Sequence, residues 1–165
     1  MARVLEEVTE CESIIGYEFR EKRHAIRALF AYTGACQYMD SIFGVKKNDG
    51  LAIYGDIVIQ DHLCRQWLDL GLTKGMWEWT QIRQVASNTN LASIGRARGL
   101  DACVVLNPGT VNVTDSVMAT TVEAIIGAVA LDGGRAAAEQ VIDRLNVTHE
   151  LLTAVKSTTL LPSRP

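Results

Sequence analysis

At 165 residues and 18.1 kDa, with 48% hydrophobic and 21% charged residues, the chain has the composition of one folded domain, which excludes general disorder. Its 16 Lys and Arg face 19 Asp and Glu, and a net charge of -3 with a pI near 5.6 excludes a strongly basic nucleic-acid coat. The longest apolar run, Ala124 to Leu131, falls far short of the ~18 residues a bilayer requires, so no membrane partner is expected.

Helical spacing dominates the chain. Val4, Leu5, Val8, Cys11, Ile14 and Ile15 recur every three or four residues and predict a first helix ending near Gly16. A second is predicted from Lys22 to Tyr38, with Ile26, Leu29, Phe30 and Thr33 on one side. After a polar break beyond Met39, Lys46-Lys47-Asn48-Asp49-Gly50 reads as a loop feeding a helix from Leu51 to Leu70, which stops at Gly71. Met76 to Arg98 reads as two helices broken around Ser87-Asn88-Thr89-Asn90, and Asn107-Pro108-Gly109 is a turn. Val117 to Leu131 is apolar and rich in small residues (Ala119, Ala124, Gly127, Ala128), which suits close helix packing. Asp132-Gly133-Gly134 should cap it before a last helix from Arg135 to Leu145. Cys103 to Leu106 is the only strand candidate. The expected fold is all-α and single-domain over 1–150, with 151–165 as a frayed tail.

The remaining chemistry-bearing residues read mostly as structural. Cys11, Cys36, Cys64 and Cys103 lack metal-ligand spacing and are expected as small buried hydrophobes. The clusters Arg20-Glu-Lys-Arg23, Lys46-Lys47 and Arg96-Ala-Arg98 are expected as solvated faces. Trp67, Trp77 and Trp79 are expected in the core or at an interface. His62, six residues after Asp56, is expected at the surface or near the same groove. The N-terminus has no signal-peptide pattern and is acidic for a mitochondrial presequence. The cytoplasm is therefore the default compartment, with mitochondrion and nucleus left open.

Four stretches in order carry a family resemblance. They are Ile15-Gly-Tyr-Glu-Phe19 with Arg27-Ala-Leu29, Asn48-Asp-Gly-Leu-Ala-Ile-Tyr-Gly-Asp56, Ile82-Arg-Gln-Val-Ala-Ser-Asn88 with Asn90-Leu-Ala92, and Thr121-Val-Glu-Ala-Ile-Ile-Gly-Ala128 closed by Leu131-Asp-Gly-Gly134. Together they resemble the ribonuclease III family. The resemblance implies an all-helical endonuclease domain that dimerises through its signature helix and cleaves double-stranded RNA with magnesium. With only about 20 residues after Leu145, a double-stranded RNA-binding domain is not expected on this chain.

The resemblance also implies two carboxylate pairs, spaced four and three residues apart so that each pair shares one helix face. Here the first pair reads Ala52 and Asp56, and the second reads Thr120 and Glu123. One charged oxygen donor remains in each. Magnesium depends on carboxylate charge, so the loss should weaken or abolish its binding. Asp56 and Glu123 are the candidate metal ligands, and with Asp49, seven residues before Asp56, the candidate catalytic residues. Ile53, Tyr54 and Ile57 are the candidate homodimer interface. Three functions follow as expectations. The first is an impaired ribonuclease III-like domain acting as an RNA-associated or assembly subunit, in a ribonucleoprotein or with double-stranded RNA. The second is an active double-strand-specific endoribonuclease. The third is an enzyme acting on a small molecule in the dimer groove.

Overall fold

In the computed structural model, which describes residues 3–79 and 82–153, the elements follow the hydrophobic spacing closely. The first helix, α1 (Arg3–Ile15), buries Val8, Cys11 and Ile15 along one stripe. Gly16 ends it at φ 67°, a left-handed conformation that glycine adopts without Cβ strain. The chain then turns into α2 (Lys22–Leu29) over a carboxylate latch. Asp132 accepts hydrogen bonds from Tyr17 Oη (2.7 Å) and from the backbone N–H of Arg20 (2.8 Å) and Glu21 (2.9 Å). Burial opposes ionisation of this group, but those donors and nearby His24 outweigh it and hold its carboxyl below the usual range. Burial and the bond to Asp132 push the Tyr17 phenol up to about 12.

The predicted helix to Tyr38 is corrected here. Helix α2 ends at Leu29 because the following backbone pairs elsewhere: Ala31 N–H donates to the Val105 carbonyl, and Val105 N–H donates to that of Leu29. Residues 34–45 form an antiparallel hairpin of β1 (Gly34–Tyr38) and β2 (Ser41–Val45), with Tyr38 opposite Ser41. Cys36 and Tyr38 are buried alternately with exposed neighbours, a period of two that the apolar count had blurred. The polar break after Met39 is the hairpin turn. Conversely, the strand expected at Cys103–Leu106 reduces to a 3-10 turn (Leu100–Cys103) and one isolated bridge between Phe30 and Val105.

The central pair follows. Helix α3 (Asp49–Asp69) matches the prediction, and Gly71 ends it at φ 62°. It is followed by α4 (Lys74–Trp79), α5 (Ile82–Val85) and α6 (Asn88–Ala97). The polar stretch at 87–90 starts α6: Ser87 Oγ accepts from Asn90 N–H at the N-cap. Helix α7 (Asp115–Leu145) comprises two helical parts broken by the non-helical backbone of Gly134 (φ 79°, ψ -175°), where the sequence places a cap between two helices.

By length and composition α7 is apolar enough to cross a bilayer, which the short apolar run had hidden. Here it is the centre of the core. It packs against α2, α3 and α6, with Met118, Ala119, Val122, Ile125, Ile126 and Val129 essentially inaccessible. Each large aliphatic side chain so buried contributes about 1.5–3 kcal/mol. Val147 and Leu152 are fully buried too, so the core continues beyond α7. Trp67 and Trp77 pack edge to face at 5.6 Å, while the side chain of Trp79 and residues 154–165 of the predicted 151–165 tail lie outside the described residues. All four cysteines are free thiols, three of them buried.

Candidate active site

Two glycines decide where the functional side chains meet. A Cβ on Gly55 would be driven into the carbonyl of Glu123, and one on Gly127 into the carbonyl of Leu51. Helices α3 and α7 therefore cross backbone to backbone, closer than any residue with a side chain permits. Asp56 follows Gly55 directly, and Glu123 is the residue its backbone touches. The crossing thus sets one carboxylate of each helix into a shared open groove of about 320 Å³. Asp49, Ala52, Ile53, Ile57 and Thr120 complete its lining.

The structure brings together most residues singled out from the sequence. Asp56 and Glu123 are half-buried and face the groove, with Ala52 and Thr120 one turn away on their respective helices. Burial, reinforced by the negative charge of Asp56, pushes the Glu123 carboxyl from an ordinary 4.5 up to about 7. A carboxyl in that state shares its site with a proton near neutral pH, and a cation in the groove would compete for the same place. Asp49 stands at the rim, exposed, with its carboxylate held by Lys47 Nζ at 2.8 Å. Among the described residues, no three His, Cys, Asp or Glu side chains converge as a metal-binding group.

Other expectations are corrected by packing. His62 neither lies at the surface nor approaches the groove. It is buried between α3 and the second part of α7, where its Nε2 lies 3.2 Å from Asp143 Oδ1 and 2.8 Å from Gln66 Nε2. Asp115, more than two turns before Glu123, is no substitute for the missing carboxylate at Thr120: it pairs with Arg96 at 2.8 Å and does not line the groove. Most of the basic clusters are engaged locally as well: Lys22 pairs with Glu12 at 2.7 Å, and the Arg23 guanidinium lies 5.7 Å from the centre of the Tyr38 ring. Asn48, read as a loop residue, is instead a buried tie between elements. Its Nδ2 donates to the Ala28 carbonyl at 2.9 Å and to Thr121 Oγ1 at 3.4 Å, joining the start of α3 to α2 and α7. Its place at the head of the motif was the available signal. Nothing in the motif said that it was buried.

Beside the groove, Ile53 and Ile57 are 67% and 59% exposed and Tyr54 is 39% exposed. They are separated by three and four residues and form an apolar stripe along α3.

Residues 38–149, more than half of the chain, match the sequence profile of the family described as ribonuclease-III-like. The chain belongs to the ribonuclease-III-like family. Two solved structures of the nuclease domain of ribonuclease III from Campylobacter jejuni share its fold. One, at 21% identity and a TM-score of 0.68, covers 82% of this chain and 93% of its own. The other, at 19% identity and a TM-score of 0.67, covers 96% of this chain and 97% of its own. No curated protein matches the chain significantly in sequence. The family match bears out the all-helical ribonuclease III-like domain expected from the four stretches, with the hairpin as a local addition.

Proposed function

We propose that this ribonuclease-III-like domain is impaired in magnesium-dependent double-strand cleavage and acts as an RNA-associated or assembly subunit, in homodimeric form. The observation that carries the reading is the donor set of the groove. Of the four carboxylates that the family resemblance implies, two face it, because Ala52 carries no donor and Thr120 only a neutral hydroxyl, while Asp49 stands at the rim. Such a set fits one largely hydrated Mg²⁺, which commonly takes one or two carboxylates, and does not fit a pair of ions. Asp56 and Glu123 would hold it, and when bound it supplies a positive charge able to polarise a phosphoryl oxygen. Asp49 could add charge only by leaving Lys47. With Glu123 partly protonated near neutral pH, the chain's own contribution is a groove of reduced negative charge.

The direct test is labelled duplex RNA incubated with the pure protein and Mg²⁺ or Mn²⁺, beside the Asp56→Asn variant. The expected result is duplex binding with no nicking above that variant. Cleavage by the wild type alone would overturn the proposal in favour of an active endoribonuclease.

Homodimerisation rests on the stripe of Ile53, Tyr54 and Ile57, which a symmetric copy would bury. One of the Campylobacter jejuni structures concerns flexibility in a region involved in dimer formation. Light scattering should show a dimer that the Ile53→Glu/Ile57→Glu double variant converts to monomer with its helical circular dichroism intact. A wild-type monomer at micromolar concentration would remove the symmetric copy from the proposal.

A further inference from the structure

On the side of the α3 first turn away from the carboxylates, the hairpin base and the end of α2 enclose a second cavity of about 450 Å³. Arg27, Lys46, Lys47 and Asn48 line it, together with Gly44 and Gly50. It shares no lining residue with the groove. Three cations converge on it, in a chain whose net charge is -3. Lys47 is partly neutralised by Asp49, but the side chains of Arg27 and Lys46 make no hydrogen bond or ion pair with any described residue. Among the described residues most other basic side chains are paired, such as Lys22 with Glu12, Arg96 with Asp115 and Arg135 with Glu139.

The backbone adds to the same field. The hydrogen bonds of α3 begin with Ala52 N–H to the Asn48 carbonyl, and the Asn48 side chain does not cap the helix. The N–H groups of the first turn therefore stand without acceptors at the positive end of a 21-residue helix. Gly50 has open space where a Cβ would be, which leaves approach to that backbone unobstructed. Asn48 is only 2% exposed, and its Oδ1 is a buried acceptor with no donor among the described residues. Unpaired cations and free N–H groups on one cavity call for a ligand that carries an oxyanion.

We propose that this cavity binds a phosphate group, gripped by Arg27 and Lys46 and seated on the first turn of α3. Two sources share that chemistry: a small phosphorylated molecule and the backbone of an RNA strand. The test follows the backbone amide resonances of Gly44, Gly50 and Leu51 in the full chain. Inorganic phosphate is titrated first, against sodium chloride at equal ionic strength, and a short RNA duplex is then added as competitor. Phosphate should produce saturable shifts at these amides that chloride does not. Arg27→Gln and Lys46→Ser, both at exposed positions, should each weaken phosphate binding about tenfold, and Lys46→Arg should restore most of it. Displacement of phosphate by the duplex assigns the site to an RNA backbone, and retention of phosphate assigns it to a small molecule. Both outcomes uphold the pocket. Shifts absent, equal in chloride, or unchanged in both variants would overturn it. That failure is separable from failure of the nuclease reading, since duplex binding and nicking are read without reference to these amides.

Discussion

Gly55→Ala should destabilise the domain by about 3 kcal/mol, lowering the melting temperature by roughly 10 °C in a chain of this size. The direction runs against helix propensity, because alanine is the better helix former by about 1 kcal/mol. The loss comes from the crossing: the new methyl meets the Glu123 backbone, which cannot rotate away as a side chain would. Helices α3 and α7 must then separate, opening the core around Ile59, Leu63 and Ile126. Gly50→Ala is the matched control, since its Cβ enters open space in the same helix. It should be neutral or stabilising by up to about 1 kcal/mol. Thermal unfolding of the two variants side by side decides the matter. If Gly55→Ala melts with Gly50→Ala, the backbone crossing is not what holds the two helices together.

The second large effect is a stability change that depends on pH. The folded Glu123 carboxyl titrates at about 7, and an unfolded one at an ordinary 4.5. Between those values the folded state keeps a proton that the unfolded chain has lost, so this group lowers stability as pH rises through that window. For a fully desolvated carboxyl the displacement would amount to about 3 kcal/mol, and solvent at the open groove discounts it to about 1–2 kcal/mol. Glu123→Gln removes the titration. The variant should therefore match the wild type near pH 4 and exceed it by about 1–2 kcal/mol at pH 8 in denaturant titrations. Mg²⁺ should close most of that gap. A bound divalent cation stabilises the wild type at pH 8 by about 1.4 kcal/mol when present at roughly ten times its dissociation constant, and Glu123→Gln should lose most of that gain. Equal stabilities at pH 8 without metal would mean that burial and the nearby Asp56 charge do not raise the Glu123 carboxyl in the folded chain.

The helical parts of this fold and the family were legible in the sequence because both lie in short-range spacing. The stripe of Val8, Cys11 and Ile15 and the run from Leu51 to Leu70 each bury one face and so write a period into the chain, while the helix around Gly127 is buried on nearly every side and reads as a continuous apolar run. The substitutions Ala52 and Thr120 are equally local, so the reduced donor set could be read before any packing was known. The hairpin was not legible. Residues 34–38 become a strand because 41–45 lies opposite them and because Val105 takes the hydrogen bonds that would have extended α2. Neither partner is visible in a local window.

Distance in sequence also hid the chemistry of single residues. His62 is settled by Asp143 and Asn48 by Ala28 and Thr121, all contacts between separate elements. The sequence alone thus determined which oxygen donors exist and which helices carry them. Only the tertiary structure decided that Asp56 and Glu123 share one groove, because that follows from two glycines far apart along the chain, Gly55 and Gly127, letting α3 and α7 touch.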